Sequence, residues 1–590
     1  MAINKSFPMR FSPKGLVDAF DSTDKFPGAC QKLVNLIFDQ SNPELVLSRP
    51  GVTTLVDFAL HGFASPGFIS IQAAVGSRVY GMIATNLTPG FDQPFCFETA
   101  TGAFVPISGV NSGNVPASPS TAGTWTPPTL ANIGTMIVIT HPGFSGSGVN
   151  FFGVIDITNP AAPAWTAANT VTNALPAVPV AVANFNNRAY FATAGNQLWY
   201  TDVLTNPLTV TNATQFLVIG DSGPINALSG LPLQTTSSGV IQSLTVFKST
   251  QVWQVTGDTT TFNLSLNYVS LTIGTNAPRS VAQSPYGLYF GSSGGPYFID
   301  LLGTLRPLTH SLQELEPDVQ APFENAVNPT RWAAAYNSTV YRVCGSTIIR
   351  GRQSTNDYWF DEHRRRWNGP HTFQYDCASA LGGYFVLSSA FVPGQLVQSW
   401  TQHNPAFVAS DLGTATFATL LSSTFPKADP MSMKQVAESQ IELAASGGDI
   451  TYTLTAQDEQ GNTLETATMT VVGETGNLWG PTPVGSGLLW GAPVTLWGNV
   501  SDGGSGALWG DACRFWTAAA GSGALWGEGA QNIPHTYPVP WPAPLVFEKM
   551  QLQVTAQASA QVSIGTFYAR YQRTGYMTLG QFAEPAPCTT

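Results

Sequence analysis

The sequence predicts an all-β chain: an irregular β-propeller followed by a C-terminal β-sandwich that carries a long Gly/Trp-rich insertion. Three observations predict it. Charged residues are only 10%, and 57 Gly and 43 Pro accompany abundant Thr, Val, Phe and Asn where long helices would want Glu, Lys, Ala and Leu. Short β-prone runs separated by turn residues recur from Val52 to about Trp400. From about Asp411 the runs lengthen and alternate with period two. The expected divisions are an N-terminal arm (1–50), a propeller (51–410) and a sandwich (411–590) interrupted at 473–540. A length of 590 residues leaves room for several domains at ~150 residues each.

The clearest repeat unit is Arg331–Phe373. Ala333–Tyr336 and Thr339–Val343 are short β-prone runs joined at Asn337-Ser338, a pair that tolerates tight turns. After a polar gap, Asp357–Phe360 is a third run. Asp361–Arg366 is a charged turn, and Trp367 opens a fourth strand ending at Gly369-Pro370. Four short antiparallel strands in sequence form the blade of a propeller. One blade cannot bury both faces, so others must flank it.

Related units precede and follow. Ser77–Ile83 is a strand, and Gly134–Thr140 and Phe151–Ile157 are a pair. Ala181–Asp202 reads as three strands with turns at Asn186-Asn187 and Gly195-Asn196. Leu244–Gly257 is a hairpin turning at Lys248–Thr250. Ser280–Leu308 holds four strands divided at Tyr286-Gly287, Gly294-Gly295 and Gly303-Thr304, and Gly383–Trp400 ends the series. The total is five to seven units, irregularly spaced. In the first 50 residues, Ala29–Asp39 fits either a helical turn or a strand. Beyond Asp411, the runs Gln440–Ala444, Asp449–Ala456, Thr463–Val472, Leu545–Ala556 and Gln561–Tyr571 predict sandwich strands, with Asp458–Asn462 as a hairpin turn.

The insertion repeats Leu-Trp-Gly five times and places tryptophans at Trp479, Trp490, Trp497, Trp509 and Trp526. Two readings stand: a loop packed on its own domain, or an assembly loop whose Trp anchors order against a neighbour. Arg364, Arg365 and Arg366 form the only basic run. It reads as a solvated turn, or as a source of inter-subunit ion pairs or a ring near DNA, since Arg suits fixed bidentate pairing. These eight residues are the candidate interface residues.

Net charge is −11, from 24 Lys+Arg against 35 Asp+Glu. That argues against tight nucleic-acid binding, which needs basic side chains to neutralise phosphates. A surface so poor in charge suggests coverage by other subunits. The six cysteines are far apart, with no C-x-x-C pattern, so neither a zinc site nor a disulfide scaffold is suggested. The first residues lack the apolar core of a signal peptide, and no apolar run reaches the ~18 residues of a membrane span. Synthesis in the cytoplasm without a secretion signal is expected.

Catalytic motifs are weak. Gly220–Pro224 (GDSGP) resembles a serine-protease nucleophile loop, but only His61 and His141 precede it, in loop-like contexts, and a triad needs a base within reach of the serine. Asp357, Asp361 and Glu362 beside His363 could serve glycoside hydrolysis, yet charges at a hairpin tip are ordinarily solvated. Metal-binding and phosphate-loop motifs are absent. No catalytic, cofactor-binding or metal-ligating residue is assigned, no cofactor is expected, and the chain is read as a non-enzyme.

Several segments, in order, resemble the tail nozzle (tail hub) proteins of short-tailed, podovirus-type bacteriophages. They are the Asn35 segment (NLIFDQSNPEL) leading to Ser48–Val52 (SRPGV), Val246–Trp253, Tyr286–Ser292 with Gly294–Asp300, Thr424–Asp429, and Phe547–Val554. The Leu-Trp-Gly insertion departs from that pattern. The resemblance implies a homohexameric ring in the virion, assembled in the host cytoplasm. It would link head-to-tail adaptor proteins to a distal needle or plug and to tail fibres or spikes. Double-stranded DNA would pass during ejection without sequence-specific binding. The competing expectations are a propeller-type glycan- or receptor-binding tail protein and, third, a glycan hydrolase.

Overall fold

In a computed structural model, the structure describes residues 5–9, 15–16, 29–39, 45–61, 63, 69–84, 90–118, 128–145, 151–167, 175–202, 208–236, 239–258, 263–308, 326–349, 352–389, 394–401, 410–422, 425, 432–446, 448–473, 478–479, 515–518, 524–527, 534–558 and 561–576. These residues form strands and three short 3₁₀ turns. The chain divides into two units: Val52–Asn404, and Met1–Gly51 with Pro405–Thr590.

Val52–Asn404 is a seven-bladed propeller. Blade 1 comprises Ile69–Val75, Arg78–Ala84, Asp92–Glu98 and Ala103–Phe104. Blade 2 comprises Thr129–Ile133, Met136–Thr140, Gly153–Asp156 and Ala164–Ala167. Blade 3 runs through Ala181–Phe185, Arg188–Ala192, Gln197–Tyr200 and Phe216–Val218. Blade 4 is the longest, with Ile225–Thr236, Gly239–Lys248, Val252–Asp258 and Asn263–Ser270. Blade 5 holds Ala282–Ser284, Gly287–Ser292, Gly295–Asp300 and Leu305–Pro307. Blade 6 holds Ala333–Asn337, Val340–Ile349, Arg352–Asp361 and Arg366–His371. Blade 7 takes Tyr375–Leu381, Tyr384–Ser389 and Gln395–Trp400 from one end of the unit, and Val52–Asp57 from the other as its outer strand.

That last pairing closes the ring. Val52 opposes Ser399 and Val56 opposes Leu396, so residues more than 300 positions apart share one sheet. The first strands of consecutive blades are neighbours all the way round, and blade 7 meets blade 1. A blade's second strand is therefore covered on both faces, which is why such strands read as continuous apolar runs rather than alternating ones. Met136–Thr140 is buried at every position.

The core lies between blades rather than at one centre. Val79, Ile83, Phe95 and Phe97 of blade 1 meet Val386 and Leu396 of blade 7, together with Val56 and Phe58. Met136, Phe152 and Val154 of blade 2 meet Phe191 and Trp199 of blade 3. Each such side chain contributes about 1.5–3 kcal/mol when fully buried. Blades 5 and 6 meet through aromatic rings: Tyr289 stacks on Tyr341 at 5.0 Å and lies 5.9 Å from Phe360.

The second unit is a two-sheet sandwich. One sheet is ordered Leu36–Phe38, Val46–Ser48, Gln561–Tyr576, Ser432–Ser446, His535–Pro538. Thr414–Ser422, Gln551–Ala558, Ile450–Gln457 and Thr463–Val471 run in order through the other. Alternate positions of Ile450–Gln457 are buried. Tyr452 reaches from one sheet to donate its hydroxyl to the Ala444 carbonyl of the other.

The structure corrects two expectations and decides a third that the sequence left open between helical turn and strand. Residues 1–50 are not a separate arm: their described strands pair into the sandwich sheets, with Ala29–Val34 against Thr414–Ser422. Ala29–Asp39 is two strands, Ala29–Val34 and Leu36–Phe38, parted by Asn35 at φ 55°. The propeller spans 52–404 rather than 51–410. Most of the 473–540 insertion lies outside the described residues.

Candidate functional site

The first strands of the blades surround a central channel with a volume of about 540 Å³. This size lies within the range of small-molecule pockets. Its wall is neutral and polar or small, with Asn184, Gln242 and Ser379 among backbone edges and alanines. Among the described lining residues there is one charge, Arg279, and no carboxylate.

Arg279 sits in the 3₁₀ turn Pro278–Ser280 that leads into blade 5. The turn is pinned at several points. The Ser280 hydroxyl donates to Ala277 O at 2.6 Å and accepts from the Gly291 amide at 2.9 Å, and Tyr341 Oη donates to Ser280 O at 2.8 Å. Thr275 Oγ1 accepts from the Ala277 amide at 2.9 Å, fixing the approach. Arg279 is 4% exposed. Its Nη2 reaches the thiol of Cys377 on the first strand of blade 7, two blades away, while Nε and Nη1, both buried, donate to no acceptor among the described residues.

The other buried arginine of this region has a carboxylate as its counter-charge. Arg342, on the second strand of blade 6, meets Asp357 through Nε at 2.8 Å and Nη2 at 2.7 Å. Nη1 donates to Ser399 Oγ at 2.7 Å, and the rings of Trp359, Tyr375 and Phe385 lie within 4.7–5.6 Å of the guanidinium carbon. Asp357 also accepts from Trp359 Nε1 at 2.7 Å and Tyr375 Oη at 3.0 Å. Both charges are fully buried, so the network fixes blade 6 against blade 7.

The carboxylates weighed for glycoside hydrolysis are committed to structure. Asp357 belongs to that network. Asp361 Oδ1 accepts the amides of His363 (2.9 Å) and Arg364 (3.2 Å), capping the turn. Glu362 accepts the hydroxyls of both Tyr289 and Tyr336. Burial first, and then the bond to Glu362, push both phenol pKa values upward. In the GDSGP turn, Asp221 is held by the Lys248 ammonium and accepts the Gly223 amide at 3.0 Å. Hydrogen bonds to Lys248 and to that amide hold its carboxyl below the usual range. His141 Nε2 meets Asp92 at 2.8 Å, its Nδ1 accepts the Gly143 amide at 2.9 Å, and Ser118 donates to Asp92. The aspartate stands between serine and histidine, the wrong order for a triad, which needs the histidine in the middle.

The candidate interface residues fall in different units. Arg364 and Arg366 are half-buried and Arg365 is exposed at φ 53°, in the turn between the third and fourth strands of blade 6. Burial and repulsion from Arg364 lower the Arg366 pKa, against the pull of Asp361. Trp479 and Trp526 are register partners on paired strands, and Trp516 also pairs with Trp526. Trp490, Trp497 and Trp509 lie outside the described residues.

Sequence reasoning missed Arg279 and Arg342 as interior charges. For Arg342 a signal was present: in YRVC against DYW, an arginine faces an aspartate and a tryptophan across two paired strands. For Arg279 the only signal was an isolated charge in a neutral stretch.

Two of the resemblance-bearing segments meet in the sandwich unit. Arg49 Nε donates to Asn35 Oδ1 at 3.0 Å, and Nη1 and Nη2 bind Asp411 as a fork. Arg49 precedes the start of the propeller by three positions and Asp411 follows its end, so the fork ties the outgoing and returning chain together.

No family model matches the chain, and no curated protein matches it. Among solved structures it is similar to the WD40 β-propeller domain of Doa1, at 7% identity and TM-score 0.33, covering 61% of this chain and 99% of that one. It is similar to the SapL1 lectin in complex with α-methyl fucoside, at 12% identity and TM-score 0.27, covering 57% and 93%. It is also similar to a Mycobacterium tuberculosis puromycin-hydrolyzing peptidase, at 12% and 0.35, covering 64% and 60%. Likenesses this slight carry no functional argument; the propeller is read from the strand pairing above. Among the described residues, no group of three or more His, Cys, Asp or Glu could hold a metal ion. No helix among them is long and apolar enough to cross a membrane.

Proposed function

We propose that the chain is a structural subunit of a ring, the tail nozzle of a short-tailed bacteriophage, through which the genome leaves the particle. The observation that carries this reading is the outer edge of blade 4. Its fourth strand, Asn263–Ser270, has no charged residue and is largely exposed. Tyr268 is 65% exposed, Leu271 just beyond it 51%, and Leu266 38%. Proteins that live as monomers commonly blunt such edges with charge or proline, because unpaired N–H and C=O groups recruit other strands; this strand has neither, its one irregularity being a register shift opposite Val252 and Trp253. An eight-residue neutral edge with apolar side chains is suited to burial against another subunit.

Two further features support it. The balance of 35 acids to 24 bases gives DNA little to hold, so a duplex would slide past at short range. The propeller leaves and rejoins a sandwich built from both chain ends, so a partner gripping the sandwich would hold both ends of the chain. In this reading six copies close a ring that joins adaptor proteins to the distal needle and to fibres or spikes.

Light scattering on the full chain, alone and with its adaptor ring, tests the proposal. A discrete multiple of the chain mass is expected, and Leu266→Lys with Tyr268→Lys should return it to one chain. A wild-type protein that stays monomeric in both conditions rejects the reading.

A further inference from the structure

We propose that a cleft between blades 6 and 7, away from the central channel, is a binding site for one sugar ring, a neutral polyhydroxyl ligand. The cleft has a volume of about 300 Å³, at the small end of the range for ligand pockets. Its place follows from the strand register. Side chains alternate along a strand, so Ser346 shares a face with Arg342 and Cys344, and its cross-strand partner Thr355 shares that face with Asp357. Arg342 and Asp357 bond Ser399 and Tyr375, so this face looks at blade 7. The Arg342–Asp357 network fills the gap between the blades at one end. Beyond it only the small side chains of Ser346 and Thr355 project, and the cleft opens there.

A detour in the chain supplies the mouth. Val327 opposes Ser346 and Ala333 opposes Cys344, so residues 328–332 loop out opposite Gly345 alone. A Cβ on Gly345 would fall 2.2 Å from the Trp332 ring, so glycine lets the indole lie against the strand. Trp332 and Tyr375 are almost fully buried and form a rigid apolar floor. At the rim stand Asn328, Arg331 and Asp376. Asn328 is exposed and held at φ 48°, and its side chain makes no capping bond to the turn that follows. Arg331 and Asp376 lie 3.6 Å apart, longer than a good hydrogen bond, with side chains 18% and 40% exposed. Each offsets the other's charge, which favours an uncharged ligand over an ion. The partly exposed Ser346 and Thr355 hydroxyls bond each other at 2.7 Å, and such a pair keeps one O–H and several lone pairs for a ligand. Donors and acceptors thus alternate around an apolar floor, which matches a ring that carries hydroxyls on its edge and C–H groups on its face. The cleft lies wholly within the propeller, so this inference does not rest on the proposed ring.

The experiment titrates the full chain with glucose, galactose, mannose, rhamnose and N-acetylglucosamine, and with glycine as a zwitterion for comparison, by ligand-observed NMR and calorimetry. At least one sugar is expected to bind saturably at one site per chain, with Kd on the order of 1 mM. Asp376→Ala removes a charged acceptor from the rim and should weaken that binding about tenfold. Asn328→Gly removes the amide but suits the positive φ, so the fold is kept, and it should weaken binding about fivefold. The variant with Leu266→Lys and Tyr268→Lys should bind the sugar as the wild type does, which keeps this test separate from that of the ring. Absence of saturable binding by every sugar, tighter binding of glycine than of any sugar, or wild-type affinity in both Asp376→Ala and Asn328→Gly each overturns the proposal.

Discussion

Replacing Asp357 by Asn tests whether blades 6 and 7 are locked by a charge. Asp357 is fully buried and takes three hydrogen bonds, from Arg342 Nε at 2.8 Å, Trp359 at 2.7 Å and Tyr375 at 3.0 Å, with Arg342 Nη2 in ion-pair contact at 2.7 Å. Asparagine keeps the size and one carbonyl acceptor, but it strips Arg342 of its counter-charge and presents N–H groups where acceptors are needed. Removing one member of a buried ion pair typically costs about 3–5 kcal/mol. The rings around Arg342 offset part of this, at about 1–2 kcal/mol for desolvated cation–π contact, so a net loss of about 2–4 kcal/mol is expected. Arg342→Met combined with Asp357→Asn removes both charges and should lose less than Asp357→Asn alone. Denaturant unfolding of the full chain, followed by tryptophan fluorescence, reads the difference, since Trp359 and Trp367 lie in this blade. A loss under about 1 kcal/mol for the single variant, or a double variant worse than the single, would refute the lock.

Three other outcomes follow from the same geometry. Tyr341 and Tyr375 are fully buried, and burial raises both phenol pKa values. In the unfolded chain they ionise near pH ~10, so the propeller should keep its full stability below that pH and lose about 1.4 kcal/mol per unit above it for each; pH-dependent unfolding with spectrophotometric titration measures this, and a flat profile above pH 10 contradicts it. Burial likewise raises the thiol pKa of Cys30 and Cys344, and that of Cys96 to about 11. All four described cysteines are buried thiols outside any disulfide, so a thiol reagent should label none of them before unfolding, as peptide mapping would show. In blade 2, a Cβ on Gly153 would fall 1.9 Å from the Trp165 ring, so Gly153→Ala should cost about 1–3 kcal/mol by thermal unfolding, whereas a neutral result would mean that the ring moves freely.

The blades were legible wherever a turn was written into two adjacent residues. Asn186 and Asn187 both adopt positive φ, 48° and 55°, and the strands lie on either side as expected. Gly294-Gly295 and Tyr286-Gly287 likewise part their strands at the expected places. In blade 6 the turn is displaced by one residue: Ser338 and Thr339, not Asn337, carry the positive φ values, and Asn337 instead donates to Tyr384 O of blade 7 at 2.7 Å. Its polar gap also proved to be strand. Val340–Ile349 and Arg352–Asp361 extend well past the apolar runs because Ser346 and Thr355 pair their hydroxyls at 2.7 Å, so hydroxyl side chains occupy ladder positions that read as loop. Ring closure by Val52–Asp57 was not legible, since a strand records its apolar face but not which distant strand it joins. The same holds for Ala29–Val34, whose partner strand Thr414–Ser422 lies more than 350 positions away. Of the candidate site, the Arg run stood out because it is contiguous, while Arg279 did not: its isolation depends on groups brought from other blades.

The most direct test of the proposed ring is the symmetry of the assembled full chain seen by electron cryomicroscopy. The account predicts six-fold rings in which Asn263–Ser270 of each copy is covered by its neighbour. Particles of a single chain with that strand open to solvent, at concentrations where the adaptor ring is saturated, would contradict it.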